Sequence, residues 1–142
     1  MNRLDASEDA PLILGGDLNV LPPGASQVCD FADLGEVDES FRAAATYEGQ
    51  GEWLRPMYER YHPAVKLDQY LANEQAFFSH STVSSAFWTR KLDYLFANRT
   101  WRAGSVQTLQ SPEHGGFDTM SCSDHAPLVG EVMLDEKKER NG

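Results

Sequence analysis

The sequence is short of positive charge, and this shortage excludes one class of protein. Lys and Arg number 12 against 22 Asp and Glu, which leaves a formal net charge of −10. So acidic a chain repels a phosphate backbone, which argues against unaided, non-specific binding to nucleic acid. A phosphate substrate remains compatible with this charge, because a divalent cation can bridge carboxylates to phosphate.

Cysteines and long apolar runs are also scarce. Two cysteines, Cys29 and Cys122, are too few for a disulfide framework, and either one disulfide or two free thiols fits the sequence. No apolar run approaches the length of a membrane span, and the opening MNRLDASEDA has no apolar signal-peptide core. We therefore expect a soluble chain, cytoplasmic by default, or a secreted one if the true N-terminus lies further upstream.

The length suits one domain. A chain of 142 residues is long enough for a hydrophobic core that needs neither disulfides nor metals to hold it together. We expect a lead-in over residues 1–10, the domain over 11–134 and a charged tail over 135–142.

Apolar periodicity predicts a mixture of strands and helices. The run PLILGG at 11–16 has the composition of a strand buried on both faces. Helical spacing of apolar side chains predicts helices over 53–61, with Pro56 in the first turn, and over 65–75. Further strands are predicted over 76–82, 91–97, 105–109 and 127–134.

Three aspartates occupy notable positions along these strands. Asp17 follows the first strand, and Asp124 precedes the last one and is followed by His125. Asp93 lies inside the strand 91–97, on the face opposite its apolar side chains. A buried carboxylate is costly unless it is paired, protonated or metal-bound, so Asp93 requires a partner. A histidine suits this role, because the carboxylate fixes its tautomer and leaves the other ring nitrogen available.

Each aspartate also has a purely structural interpretation. Asp17 and Asn19 fit an Asx-type turn at the end of a strand, which is the commoner use of such a pair. Asp93 could pair with Arg90 or Arg99 instead of a histidine. These alternatives stay open on the residues alone.

Other reactive residue types carry weaker signals. The Ser-Asp-His stretch is compatible with a loop that caps itself. No serine stands in a G-x-S-x-G turn, and neither cysteine lies in a motif that marks a reactive thiol. Polar neighbours favour surface or structural roles for three other histidines: His62, His80 and His114.

Three segments, taken in order along the chain, favour a functional interpretation over the structural ones. The chain reads PLILGGDLN, then RKLDYLF, then SDHAPLV. This series resembles the endonuclease/exonuclease/phosphatase superfamily of metal-dependent phosphoesterases, and the resemblance spans about 11–134. One departure is Lys91, which separates Arg90 from the apolar residue that follows the arginine in the family motif.

The resemblance implies a fold and a set of roles. Family members are α/β (α+β) sandwiches of two facing sheets flanked by helices. Asp17 and Asn19 would orient the attacking water or stabilise the pentacoordinate phosphorus, and Asp93 would hold His125, which would contact a phosphate oxygen. Asp124 would bind or position Mg²⁺ or Mn²⁺. Two basic residues before Asp93 are candidate contacts to substrate phosphate: Arg90 and Lys91.

The resemblance also implies that part of the family domain is missing. In the family an earlier segment carries the glutamate that is the main metal ligand, and only ten residues precede the PLILGG strand here. We expect the chain to supply the C-terminal half, a mixed and mainly antiparallel sheet with flanking helices, and to have little activity alone. A complementing N-terminal half or self-association would then complete it. The alternative is an inactive remnant or interaction module, and the substrate is left open between nucleic acid, phospholipid and phosphoinositide.

Overall fold

The computed structural model describes residues 10–25, 50–81, 88–111 and 123–134. Predictions for the lead-in, the tail, His114 and both cysteines lie outside these ranges, apart from Ala10. Within them, strands and helices follow one another along the chain: β1 Ile13–Asp17, α1 Arg55–Arg60, β2 His62–Pro63, α2 Leu67–Ala72, β3 Asp93–Ala97, β4 Gln107–Thr108 and β5 Leu128–Val129. Short 3-10 helices cover Gln50–Leu54 and Glu74–Phe77.

Every described strand pair is antiparallel. One sheet has the order β1–β3–β2, and β4 pairs with β5 in a second, two-stranded sheet. The mixed content of antiparallel sheets and few helices is compatible with the α+β class that the sequence predicts. The two-sheet sandwich of the family remains a prediction.

The core lies on one face of β3. Tyr94 and Phe96 are 3% and 1% exposed, and they form one apolar cluster with Val20 and Leu54. The ring of Tyr58 meets Phe96 edge-on, with centroids 5.3 Å apart. The alternation predicted for this strand is confirmed, and it turns Asp93 away from the core face.

A second apolar cluster lies beside α2. Its buried members are Val65, Tyr70 and Phe78. Leu128 of β5 is partly buried and packs against this cluster. The small second sheet is thus held against the rest of the fold by apolar contacts.

The prediction that the first strand is buried on both faces is wrong for the described residues. β1 is an edge strand of its sheet, and Ile13 is 53% exposed. Apolar composition indicates that a strand can be covered, but it does not supply the layer that covers it.

A second prediction, a strand over 76–82, is also wrong. The chain forms the 3-10 helix Glu74–Phe77 there, and over the described residues 76–81 strand pairing is limited to single bridges at His80. A short apolar run such as AFFS fits a helical turn and a strand equally well.

The remaining elements are confirmed in shorter form. The predicted helix 53–61 is a 3-10 turn followed by α1, with Pro56 in the first turn of α1, and the helix predicted over 65–75 is α2. The strands 105–109 and 127–134 shrink to the two-residue strands β4 and β5. None of the helices in the described ranges has the length and apolar character that crossing a membrane requires.

Candidate functional site

The site begins where β1 and β3 meet at one end of the sheet. Asp17 is the last residue of β1, Asp93 is the first residue of β3, and the register places them opposite each other. Beyond β1, Asp17 Oδ1 accepts the Asn19 backbone N–H at 2.8 Å, and Asn19 has φ 53°. The Asx-type turn is therefore present, and asparagine is one of the few residues that tolerate this left-handed conformation.

Two glycines allow β1 to lie this close to β3. A Cβ on Gly15 would clash with the Leu95 side chain and would come within 2.7 Å of the Tyr94 carbonyl oxygen. Gly16 has φ 143°, which other residues rarely adopt. The Gly-Gly pair thus fixes the position of Asp17.

His125 joins the two aspartates. Its Nδ1 donates a hydrogen bond to Asp93 Oδ2 at 2.8 Å, so the predicted contact between these residues is confirmed. Because the carboxylate only accepts hydrogen bonds, Nδ1 carries the proton and Nε2 faces Asp17 Oδ2 at 3.9 Å. Partial burial opposes the charged ring, but the Asp93 hydrogen bond and the negative charges of Asp93, Asp17 and Asp124 raise the pKa of His125.

Hydrogen bonds to Ser79 hold this arrangement. Ser79, which is fully buried, accepts the amides of Leu92 and Asp93 on its Oγ at 3.1 and 3.0 Å. Its carbonyl accepts the Ala126 amide at 2.7 Å. The segments that carry Asp93 and His125 are therefore tied to the same serine.

Asp124 follows the same pattern. Its carbonyl accepts the Ser81 amide at 2.9 Å, while its side chain is 64% exposed. Asp124 is thus fixed by its backbone and presents its carboxylate to solvent.

His80 is the residue that sequence reasoning missed. Sequence reasoning gave it a surface or structural role, but its ring centroid lies 4.7 Å from that of His125 and its Nε2 lies 3.9 Å from Asp124 Oδ2. Burial, followed by the positive charges of His125 and Arg90, lowers the pKa of His80, which favours the neutral ring. Its place depends on bridges to Arg90 and His125, which are distant in sequence, so no local pattern indicated it.

His80, Asp124 and His125 form a group that could hold a metal ion. One potential ligand atom from each residue lies within 4.8 Å of the other two. The prediction that Asp124 belongs to a metal site is supported to this extent, and the group does not by itself define the ion.

The two candidate substrate contacts point inward in this structure. Arg90 is 5% exposed and Lys91 is 1% exposed. Lys91 Nζ donates to the Asp93 carbonyl at 2.5 Å and lies 4.8 Å from the centre of the Tyr94 ring, and burial lowers the pKa of Lys91 to about 8. Lys91 therefore holds the backbone of Asp93 from the buried side. A contact of Arg90 or Lys91 with substrate remains a prediction.

When compared with protein-family models, with curated proteins and with solved structures, the chain matches none of them. The resemblance to the endonuclease/exonuclease/phosphatase superfamily therefore rests on the three motifs and remains a prediction.

Proposed function

We propose that the chain carries the phosphate-handling side of a metal-dependent phosphoester hydrolase, with Mg²⁺ or Mn²⁺ as the expected ion. One observation carries the proposal: Asp93 holds His125 so that its Nε2 faces Asp17 at the open end of the sheet. Phosphoester hydrolysis uses the groups found at this end of the sheet: a carboxylate, an oriented imidazole and an exposed carboxylate that can bind a metal ion.

His125 would stabilise the charge that develops on the phosphate. Its Nε2 is left available because Nδ1 is bound to Asp93, and its raised pKa favours the protonated ring that can donate to a phosphate oxygen. Asp93 is a positioning residue in this scheme, because it acts only by orienting His125.

Asp17 would activate the attacking water. Its side chain is 37% exposed and has one oxygen engaged by the Asn19 amide. Among the described residues the second oxygen has only the 3.9 Å contact with His125 Nε2, so it can accept a proton from water. The proton of the attacking water would pass to Asp17, and the water oxygen would bond to phosphorus as the ester P–O bond breaks. The leaving alkoxide would take up a proton from solvent.

The residues present fit a metal ion only in part. Asp124 supplies the exposed carboxylate that Mg²⁺ and Mn²⁺ prefer, and such an ion supplies charge neutralisation and a more acidic bound water. The other two potential ligands, His80 and His125, are imidazoles, which Mg²⁺ and Mn²⁺ favour less than oxygen ligands. In this scheme Nε2 of His125 contacts phosphate and does not bind the ion.

The test is hydrolysis of bis-p-nitrophenyl phosphate, DNA and sphingomyelin by the full chain with Mg²⁺ or Mn²⁺. We expect slow turnover that EDTA abolishes and that His125→Ala and Asp17→Ala lower about 100-fold. His62→Ala is the matched control, since His62 is an exposed histidine paired with the opposite end of β3. Turnover that is absent, or equal in wild type and His125→Ala, would overturn the proposal.

The competing candidate is a non-catalytic interaction module with the same antiparallel sheets. Among the described residues β1 has a strand on one side only, which favours this alternative, because an open sheet edge can pair with another chain. Association of the chain in solution together with no turnover on any of the three substrates would select it.

A further inference from the structure

The three potential ligand residues are built on backbone that is already fixed. His80 pairs with His125 in an antiparallel bridge, and Ser81 donates its amide to the Asp124 carbonyl at 2.9 Å. Two adjacent segments therefore present His80, Asp124 and His125 from one side of the site. A metal site is strongest when its ligands stand on such rigid elements.

His125 is oriented as a ligand by Asp93. The Nδ1–H bond to Asp93 leaves the lone pair of Nε2 as the only metal-binding position on this ring once Nε2 is deprotonated. A carboxylate behind a histidine is the usual outer-shell support of a metal-bound imidazole, because it fixes the tautomer and the ring plane.

His80 and Asp124 complete the set and leave a path to solvent. The His80 side chain is 18% exposed, and its Nε2 lies 3.9 Å from Asp124 Oδ2. The buried Nδ1 of His80 has no hydrogen-bond partner among the described residues. A small rotation of the ring would therefore break no hydrogen bond to these residues. Asp124 is 64% exposed and lies at the entrance, where water could complete the coordination.

The donor set selects the class of ion. Two imidazoles and one carboxylate match the borderline divalent ions, whereas Mg²⁺ prefers oxygen ligands and retains its waters. A tetrahedral ion with bonds of about 2.1 Å places its ligands about 3.4 Å apart. Ligand atoms that now lie within 4.8 Å of one another would have to close by little more than an ångström.

We propose that His80, Asp124 and His125 form a binding site for a borderline transition-metal ion of the Zn²⁺ or Co²⁺ type. Binding takes Nε2 of His125, the same atom that would donate to phosphate. It follows, and this consequence alone rests on the proposed function, that such an ion blocks hydrolysis supported by Mg²⁺.

The test measures binding without any substrate. Zn²⁺ is titrated into the full metal-free chain by calorimetry, and Co²⁺ is followed by its visible absorption, which reports the coordination geometry. We expect one tight site with Mg²⁺ binding at least about 100-fold weaker. Loss of an outer-shell partner alone costs about 10–100-fold in affinity, so His80→Gln should weaken Zn²⁺ binding about 100-fold or more.

The variants keep the test decisive. His62→Gln is the matched control and should bind Zn²⁺ as wild type does. Asp124→Asn changes an exposed side chain, so it tests the site even if His80→Gln fails to fold. Zn²⁺ affinity that stays within threefold of wild type in Asp124→Asn, or a wild-type chain without a tight site, would overturn the proposal.

The activity readout separates this inference from the proposed function. If hydrolysis occurs, Zn²⁺ should inhibit it in wild type and much less in His80→Gln. If no hydrolysis occurs but Zn²⁺ binds as expected, the proposed function fails and the metal site remains.

Discussion

The two ends of the β1–β3 strand pair are organised by different forces. At the end where Ile13 faces Ala97, Phe96 and Ala97 are almost fully buried. Asn98 holds the loop beyond this end. Its side-chain Oδ1 accepts the Leu12 backbone amide at 2.8 Å, and its backbone amide donates to the Leu12 carbonyl at 3.1 Å. Apolar burial and paired backbone groups hold this end together.

At the other end Asp17 faces Asp93 across the same pair of strands. Like charges placed opposite each other on a sheet are destabilising, and here one imidazole, His125, offsets them. One pair of strands thus serves both purposes: burial at the apolar end stabilises the strand pair, and the polar end holds two like charges beside one imidazole.

The largest expected effect tests the apolar end. Phe96→Ala should lower the free energy of unfolding by about 3–5 kcal/mol, because it empties a site that is 1% exposed and removes the edge-on contact with Tyr58. Ile13→Ala, on the paired strand but 53% exposed, should cost less than about 1 kcal/mol. Denaturant unfolding of both variants checks the pair, and equal losses would remove the distinction between core and edge.

A smaller effect is expected from Lys91, the buried cation beneath the polar end. Its folded pKa of about 8 lies below its ordinary value, so the unfolded chain binds more protons and stability rises as the pH rises from about 8 to 10.5. The unfolding free energy of wild type minus that of Lys91→Met should therefore increase by about 1–3 kcal/mol over this range. A difference that stays flat from pH 8 to 10.5 in urea titrations contradicts the buried placement.

The smallest effect concerns the charge balance itself. Asp93→Asn should lower the pKa of His125, because it removes the hydrogen bond to Nδ1 and the nearest negative charge. Asp17→Asn should lower that pKa less, since Asp17 Oδ2 is 3.9 Å away. Imidazole resonances followed by NMR across pH in the metal-free chain give both values, and the exposed Asp68→Asn serves as control. An unchanged His125 pKa in Asp93→Asn would mean that the two side chains do not pair in solution.

The polar end was largely predictable from local sequence. The alternation in RKLDYLF places Asp93 off the core face, and a carboxylate there requires a partner, which His125 supplies. The first inference uses only neighbouring residues, and the need for a partner follows from the cost of burying a charge. The choice of His125 over Arg90 or Arg99 came from the family resemblance and not from local residues. The role of these residues in catalysis goes beyond what such rules reach.

The errors arose where distant segments decide the outcome. Whether β1 is covered depends on what packs against it, and the letters of PLILGG carry no information about that. His80 reached the site through bridges to Arg90 and His125, and neither bridge leaves a local signature around FFSHS. The short strands β4 and β5 end early for the same reason, since only pairing partners define their length.

The hydroxyl of Ser79, which accepts two backbone amides, allows opening of the site to be followed by hydrogen exchange. The amides of Leu92 and Asp93 both depend on one hydroxyl, and Ser79 precedes His80 in the chain. These two protons can exchange with deuterium only when that hydroxyl moves away. Their exchange rates, which should rise and fall together, therefore report how often Ser79 separates from the start of β3, without any label on the site.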